Sequence, residues 1–470
     1  MRIVLVSPSW VYKQYGRFDE ALSLQQPLGI ACLAAVLENA GYKVKLIDAA
    51  AQEYEADDVI NEIKSFGAEL VGLSPTTASF SRALTLAEKV KTELDLSVIV
   101  GGPHATALPE QTLQNPCFDI AVVGEGEMTI LELAEKLESG SDLGDVEGIV
   151  YRKKGKVQRN RRRPYIADLD SLPFPARHLL PPLEVYRPTP SAHKCLPQAT
   201  MVTSRGCPYK CTFCDHSVFG NAYRARSAGK VVDEIQLLVE KHGAKEIRFW
   251  DDTFNMDSQR LLRICNEIME RGIDVPWTCL VRMDRMNDDV LRAMSRSGCW
   301  QVDYGIESGN QQLLNRIEKG LTLETARKVT KMTRKAGIGV RGFFMLGLPG
   351  ETEKTMRETI DFAKELELTA VVFHITTPFP GTELYEMALE NGELDSGVNW
   401  DKYTLVLPEP GPYAPKGLTQ ETIMRYQAKA YREFYLRASF VLHRILDIRR
   451  LSDLSRYVTG FRVVSNLRKG

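Results

Sequence analysis

Apolar positions along the first 140 residues switch between two periods. Short, near-continuous apolar runs predict strands over 2–7, 43–48, 70–74, 97–101 and 119–123. Between them, apolar residues three and four apart predict amphipathic helices over 29–39, 56–66, 81–94 and 109–114, with another over 128–138. Strands with so little alternation are buried on both faces, which predicts a parallel sheet covered by helices. Five of them in series predict a flavodoxin-like doubly wound α/β domain over 1–145.

The pattern then breaks. Residues 152–163 are polar and basic and end in Arg161-Arg162-Arg163, read as a solvated loop. Prolines follow at 173, 175, 181, 182, 188 and 190, a density that excludes regular helix and central strand. Residues 146–195 are therefore expected to connect two domains. Alternation resumes with strands expected over 199–203, 246–251, 277–281, 301–306, 340–346 and 371–376. Helices are expected between them, over 230–242, 258–271, 288–297, 323–336 and 353–367. This predicts a partial (βα)6 TIM-type barrel over 196–395, with its chemistry at the C-terminal strand ends.

A helical C-terminal region is expected over 396–470, and from 425 onward it carries eleven Arg or Lys against three Asp or Glu. Its irregular apolar face (Tyr426, Ala430, Phe434, Leu436, Ser439, Val441, Ile445) suits a cap on the barrel. Its arginines (Arg432, Arg437, Arg444, Arg449, Arg450) would suit peripheral contact with anionic lipid, bringing a lipid-like substrate.

Composition changes this picture little. With 44% hydrophobic and 26% charged residues the 470-residue chain is an ordinary globular one, and a net charge of −1 gives no sign of a nucleic-acid partner. The chain enters its first strand directly after Met1, and no apolar run approaches the roughly 18 residues of a membrane span, so neither a signal peptide nor a transmembrane segment is expected. A cytoplasmic location follows. Nine cysteines, an odd number in a long chain, speak against a secreted disulfide framework.

Three of those cysteines crowd into Thr203-Ser204-Arg205-Gly206-Cys207-Pro208-Tyr209-Lys210-Cys211-Thr212-Phe213-Cys214, spaced C-x3-C-x2-C just after the first barrel strand. Three thiolates on one short loop can ligate three irons of a [4Fe–4S] cluster and leave the fourth open to a substrate. A structural zinc site would need a fourth ligand from a remote cysteine or from a histidine such as His216.

This loop resembles that of radical S-adenosylmethionine (SAM) enzymes. The resemblance implies that Cys207, Cys211 and Cys214 hold a [4Fe–4S] cluster, that the open iron chelates SAM, and that reductive cleavage yields a 5′-deoxyadenosyl radical. It implies an adenine contact by Phe213. In Phe249-Trp250-Asp251-Asp252, Asp251 or Asp252 stands where many members carry Gly-Gly-Glu for the SAM amino group. Arg282 would bind the SAM carboxylate, and Glu307 and Ser308 of Gly305-Ile306-Glu307-Ser308-Gly309 the ribose. Gly342-Phe343-Phe344-Met345-Leu346-Gly347-Leu348-Pro349-Gly350-Glu351 resembles the adenine-side turn. An electron donor such as flavodoxin or ferredoxin is implied as a partner.

In the first domain, the C-terminal strand ends are rich in glycine and hydroxyls: Ser74 and Thr76, Gly101, Gly102 and His104, Gly124 and Glu125. They resemble a cobalamin-binding domain, and the two-domain order resembles the cobalamin-binding radical SAM subfamily. The Asp-x-His-x-x-Gly loop of other corrinoid domains is missing from Ser7-Pro8-Ser9-Trp10-Val11-Tyr12, and no histidine precedes His104, so a protein histidine is not expected on the cobalt. A dinucleotide fingerprint is also missing after the first strand.

The expected activity is methylation of an unactivated carbon in a small-molecule or lipid-like substrate. Non-methylating oxidation of the anaerobic cyclase type, or a corrinoid or redox sensor, are the alternatives. A methylthiolating enzyme would need a further cysteine trio in the first domain, which holds Cys32 and Cys117 alone.

Overall fold

The computed structural model describes residues 1–9, 23–394, 399–403, 410–438 and 440–442. Seven strands form the first sheet: β1 (Arg2–Ser7), β2 (Lys43–Asp48), β3 (Leu70–Leu73), β4 (Ser97–Val100), β5 (Ile120–Val122), β6 (Ile149–Lys153) and β7 (Lys156–Arg159). Their order is β2-β1-β3-β4-β5-β6-β7, with the first five parallel. Helices α1 (Leu28–Asn39), α2 (Ala56–Phe66), α3 (Phe80–Leu94), α4 (Gly102–Ala107), α5 (Pro109–Thr112) and α6 (Glu127–Ser139) supply the crossovers. The sheet buries a separate apolar cluster on each face, one against α2 and α3 and the other against α1 and α6. That is the doubly wound domain the strand pattern predicts.

The segment expected to connect the domains opens with sheet. β6 pairs antiparallel with β5, and β7 with β6. The turn between them, Lys154-Gly155, has positive φ at both residues (50° and 78°), which matches the twist of a two-residue hairpin. β7 is exposed at every residue, so no buried period marked it. Residues 160–195 follow as short 3-10 turns that fill the seam between the domains: Ala176 and Leu180 join the first core, Leu183 the second. Arg177 is buried and donates to Gln26 (2.6 Å), Glu234 (2.9 Å) and the Thr200 carbonyl (2.6 Å), tying both domains to the seam.

The second sheet has β8 (Gln198–Met201), β11 (Glu246–Phe249), β12 (Trp277–Val281), β13 (Cys299–Glu307), β14 (Gly339–Leu346) and β15 (Ala370–Ile375), after a small ribbon of β9 (Ser204–Arg205) and β10 (Arg224–Ala225). All six are parallel, in the order β15-β14-β13-β12-β11-β8. β15 and β8 do not pair, so the barrel is partial. Its outer helices are α7 (Ala228–His242), α8 (Ser258–Glu270), α9 (Asp288–Arg296), α10 (Gln311–Arg316), α11 (Leu323–Lys335) and α12 (Glu353–Glu365), followed by α13 (Glu383–Glu390) and α14 (Gln420–Tyr435). Side-chain caps start them: Ser227, Asp257, Asn287, Asn310, Thr322 and Thr352 each accept an amide of the first turn, each worth about 1 kcal/mol.

α14 covers the free edge of β15. Tyr431 and Tyr435 donate to the carbonyls of Phe373 and Val371 there, at 3.4 and 2.8 Å. Tyr426 packs against the core, and Ala430 and Phe434 are buried in it, so this part of the C-terminal region caps the barrel. Ser439, Arg444, Ile445, Arg449 and Arg450 lie outside the described residues.

Candidate functional site

The cysteine loop leaves β8 under unusual restraint. Asp251, 1% exposed, accepts from the Thr203 amide, the Thr203 hydroxyl and the Ser204 hydroxyl, all at 2.6 Å. Burial raises its pKa, with the Arg260 charge opposing. Gly206 has φ +82°, and a Cβ there would lie 2.4 Å from the Ala222 carbonyl oxygen, so only glycine makes the turn into Cys207. The Cys207 Sγ lies 3.6 Å from the Thr253 hydroxyl, and the Cys211 Sγ 3.7 Å from the Glu318 carbonyl.

Positive charge collects behind the loop. Lys319 Nζ pairs with Glu307 at 2.7 Å and sits 5.6 Å from the Phe213 ring. Arg282 donates to the Lys319 carbonyl at 3.0 Å, pairs with Asp284 at 2.9 Å and stacks 3.4 Å from the centre of the Tyr209 ring. The Cys211 thiol is lowered to about 6: a hydrogen bond with the Cys214 thiol contributes most, burial opposes, and Lys319 and Arg282 add to the lowering. A cavity of about 310 Å³ opens here, bordered by Cys211, Cys214, His216, Asn221, Glu318 and Gly381. Clustered soft donors beside lysine and arginine fit an anionic iron–sulfur cluster.

The structure thus brings Cys211, Cys214, Phe213, Arg282 and Glu307 around one lysine, while Cys207 turns to Thr253. Glu307 reaches it from a strained backbone, φ 67°. Other expected contacts turn elsewhere. Asp251 faces inward, and Asp252 is the exposed carboxylate of that pair. Ser308 is buried, 3.1 Å from the Thr359 hydroxyl, and accepts from the Asn310 amide at 3.1 Å. Lys319 was not marked by the sequence, because a lysine in Glu318-Lys319-Gly320 looks solvated.

In the first domain, Ser74, Gly101, Gly102 and Gly124 end strands β3, β4 and β5, so no bulky side chain stands there. Gly102 (φ +82°) passes so close to β3 that a Cβ would meet the Ser74 hydroxyl at 2.8 Å. Gly124 (φ +85°) faces the segment after the cysteines: a Cβ there would lie 3.8 Å from the Val218 carbonyl oxygen. Thr76 caps the turn before α3 through Ser79. Small residues at these strand ends fit the close approach of a bulky ligand. His104 is 2% exposed, its ring 4.0 Å from Phe80 and 4.8 Å from Trp400, with Nδ1 3.2 Å from the Thr77 hydroxyl. Burial lowers its pKa to about 4 and keeps it neutral.

Glu125 crosses the domain boundary. It is 7% exposed and accepts from Arg205 (2.8 Å), Arg224 (2.8 and 2.9 Å) and the Ile166 amide (2.7 Å). Glu127 takes the other end of Arg205 at 2.5 Å. Arg205 stands two residues before Cys207, so this clamp fixes the cysteine loop to the β5–α6 turn. The C-terminal ends of both sheets face each other across it.

An N-terminal doubly wound domain, a partial barrel and a three-cysteine loop between their active ends define a cobalamin-binding radical SAM enzyme. Residues 201–363 match the Radical SAM superfamily and residues 18–134 the B12 binding domain. The chain is 37% identical to an uncharacterized methyltransferase of Pyrococcus horikoshii over 90% of both chains. It is 32% identical to the cytidylyl-2-hydroxyethylphosphonate methyltransferase of Streptomyces wedmorensis, over 78% of this chain and 79% of that one. The chain belongs to this family. Its fold is similar to that of the cobalamin-dependent SAM radical enzyme OxsB, with a TM-score of 0.74 at 18% identity, over 98% of this chain and 72% of that one. Among the described residues no helix is long and apolar enough to cross a membrane.

Proposed function

We propose that this enzyme methylates an unactivated carbon of a small-molecule substrate held between its two domains. The observation that carries the reading is the docking of the glycine-bearing β5–α6 turn on the approach to the cysteine loop, through Glu125 and Glu127 on Arg205 and Arg224. Its methyltransferase relatives favour methyl transfer over the alternatives.

When bound, the cluster with SAM supplies a carbon-centred radical, and the corrinoid supplies a methyl group. The chain's own part is to hold and shield. Cys207, Cys211 and Cys214 would hold the cluster. Asp252 is proposed for the SAM ammonium, Arg282 for its carboxylate, Glu307 for the ribose and Phe213 for the adenine face. Ser74, Gly101, Gly102 and Gly124 would carry the corrinoid. Trp400 packs edge-on against His104 beside these strand ends. A reduced flavodoxin or ferredoxin as electron donor and a cytoplasmic location belong to the same reading, as does lipid contact through the basic C-terminal residues.

The test is anaerobic incubation of the reconstituted full chain with SAM carrying a trideuterated methyl group and extract of a strain lacking the enzyme. The expected result is 5′-deoxyadenosine together with a product bearing the label. Deoxyadenosine with an unlabelled, oxidised product would favour the cyclase-type reaction. No SAM cleavage at all would favour a sensor.

A further inference from the structure

The barrel lumen can be read strand by strand, because side chains alternate between its two faces. On β14 and β15, Phe344 and Phe373 stack at 5.4 Å, and Phe373 meets Tyr431 of α14 at 5.6 Å, so these residues face the helices. Their neighbours face the lumen. Arg341 lies deepest: it donates to Asp303 at 2.9 and 2.5 Å and reaches Ser191 at 3.4 Å, while Arg248 binds the same carboxylate. Above it come Phe343, 5.1 Å from the Arg341 guanidinium, then Met345 and His374, which are register partners.

His374 stands out at this level. Its ring is 5.8 Å from Phe343 and partly buried, and among the described residues no hydrogen bond engages it. Thr376, two residues on and therefore on the same side, is 1% exposed, and its hydroxyl is buried with no partner among the described residues. Burial and the Arg341 charge lower the histidine to about 4, so it is neutral. A neutral imidazole offers one donor and one acceptor, and a hydroxyl offers both. The buried hydroxyl calls for a partner.

We propose that His374 and Thr376 form a substrate-binding pair on the β14–β15 side of the barrel mouth, taking an uncharged hydroxyl- or carbonyl-bearing part of the substrate that lies against Phe343 and Met345. The inference rests on the methyl-transfer reading only in placing substrate in the barrel mouth. Charge selects this class. The donors of Arg341 are already directed to Asp303 and Ser191, so an anion would find no free fork. An ammonium would face the Arg341 charge. A neutral polar group meets neither obstacle, and the flanking Phe343 and Met345 favour a carbon skeleton behind it.

The experiment uses the full chain, reconstituted with cluster, cobalamin and SAM and carrying 13C-labelled histidine; seven histidines give a tractable spectrum. The probes are cyclohexanol, cyclohexylammonium and cyclohexanecarboxylate, and the His374 signal is assigned by its loss in His374→Gln. Cyclohexanol should shift that signal saturably, with both charged probes roughly tenfold weaker or more. Measured from the ligand's own signals, cyclohexanol affinity should fall roughly fivefold in His374→Leu, for loss of one neutral hydrogen bond, and stay within about twofold in His374→Gln. Thr376→Val should weaken it to a similar extent. Tighter binding of either charged probe, unchanged affinity in His374→Leu, or no saturable shift with any probe would overturn the assignment. No turnover is involved, so the result is independent of whether label transfer succeeds.

Discussion

Replacing Glu125 by Ala removes the anion at the centre of the interdomain clamp. The carboxylate side chain is 4% exposed and the two guanidinium side chains it joins are 11% exposed each. Without it, among the described residues Arg224 keeps hydrogen bonds to the carbonyls of Ile166 and Phe219, at 2.8 and 3.0 Å, and Arg205 keeps one carboxylate, Glu127; their contacts with the Tyr165 and Phe219 rings add no anion. Two buried cations are then matched by one carboxylate. Breaking a buried pair from one side costs about 3–5 kcal/mol, most of it the penalty on the charge left behind. That lowers the equilibrium constant for the docked, folded state by roughly 10²–10⁴-fold. The assay is urea denaturation, since guanidinium chloride would screen the charges under test, followed alongside hydrogen exchange at 120–127 and 203–207. We expect an earlier transition and faster exchange at both segments together, because the clamp spans the domains. Glu125→Gln, which keeps an acceptor, should fall between. In Glu125→Ala/Arg224→Met, removing the stranded cation should restore part of the loss. A Glu125→Ala chain destabilised by less than about 1 kcal/mol, or a double variant with purely additive loss, would refute a coupled clamp.

Replacing Cys207, Cys211 and Cys214 together by Ala should reduce bound iron from about four per chain to none after anaerobic reconstitution, read by iron assay, and should abolish SAM cleavage. Bound cob(II)alamin should show no protein nitrogen coupling in its electron paramagnetic resonance spectrum, because His104 is packed between Phe80 and Trp400. The folded pKa of His104, about 4, lies below its ordinary value, so the unfolded chain binds more protons and stability falls as pH drops from about 6.5 toward 4. Urea titrations at pH 7 and 5 should show that drop shrink by up to about 2 kcal/mol in His104→Phe. Glu351 has the opposite sign: burial raises it to about 7, so its contribution is lost as pH rises from about 4.5 through 7. Comparison of Glu351→Gln with the parent at pH 5 and pH 8 should show the variant gaining at the higher pH.

The strands of both sheets were legible because each is a short apolar run and their helices carry a 3.6-residue stripe. β6 and β7 were not: β6 fell in the segment expected to connect the domains, and β7 has all four residues exposed, with its pairing resting on a turn at Lys154-Gly155. The cysteine loop was legible from spacing alone. What its neighbours do was less so. Asp251 and Asp252 are indistinguishable in sequence, yet one is sealed under Thr203 and Ser204 and the other is exposed. Glu125 read as a strand-end residue near a ligand, but its partners Arg205 and Arg224 lie in the other domain. Such pairings depend on how two folded units meet, and no local period encodes that.

The approach to Cys207 shows why those pairings matter. A loop carrying three thiols has little apolar surface with which to hold a shape, and each free residue costs about 1–2 kcal/mol to order. Here the restraint comes from charge. Asp251 fixes Thr203 and Ser204, Arg260 holds the Thr203 carbonyl at 3.0 Å, and Glu125 and Glu127 fix Arg205. Gly206 then has no room for a side chain. Charge-assisted hydrogen bonds of about 1.5–3 kcal/mol each offset the ordering cost residue by residue. Because the last two anchors come from the first domain, loop geometry and domain docking form one equilibrium. A change at the β5–α6 turn is therefore expected to reach the cysteines through Arg205, with no contact to them.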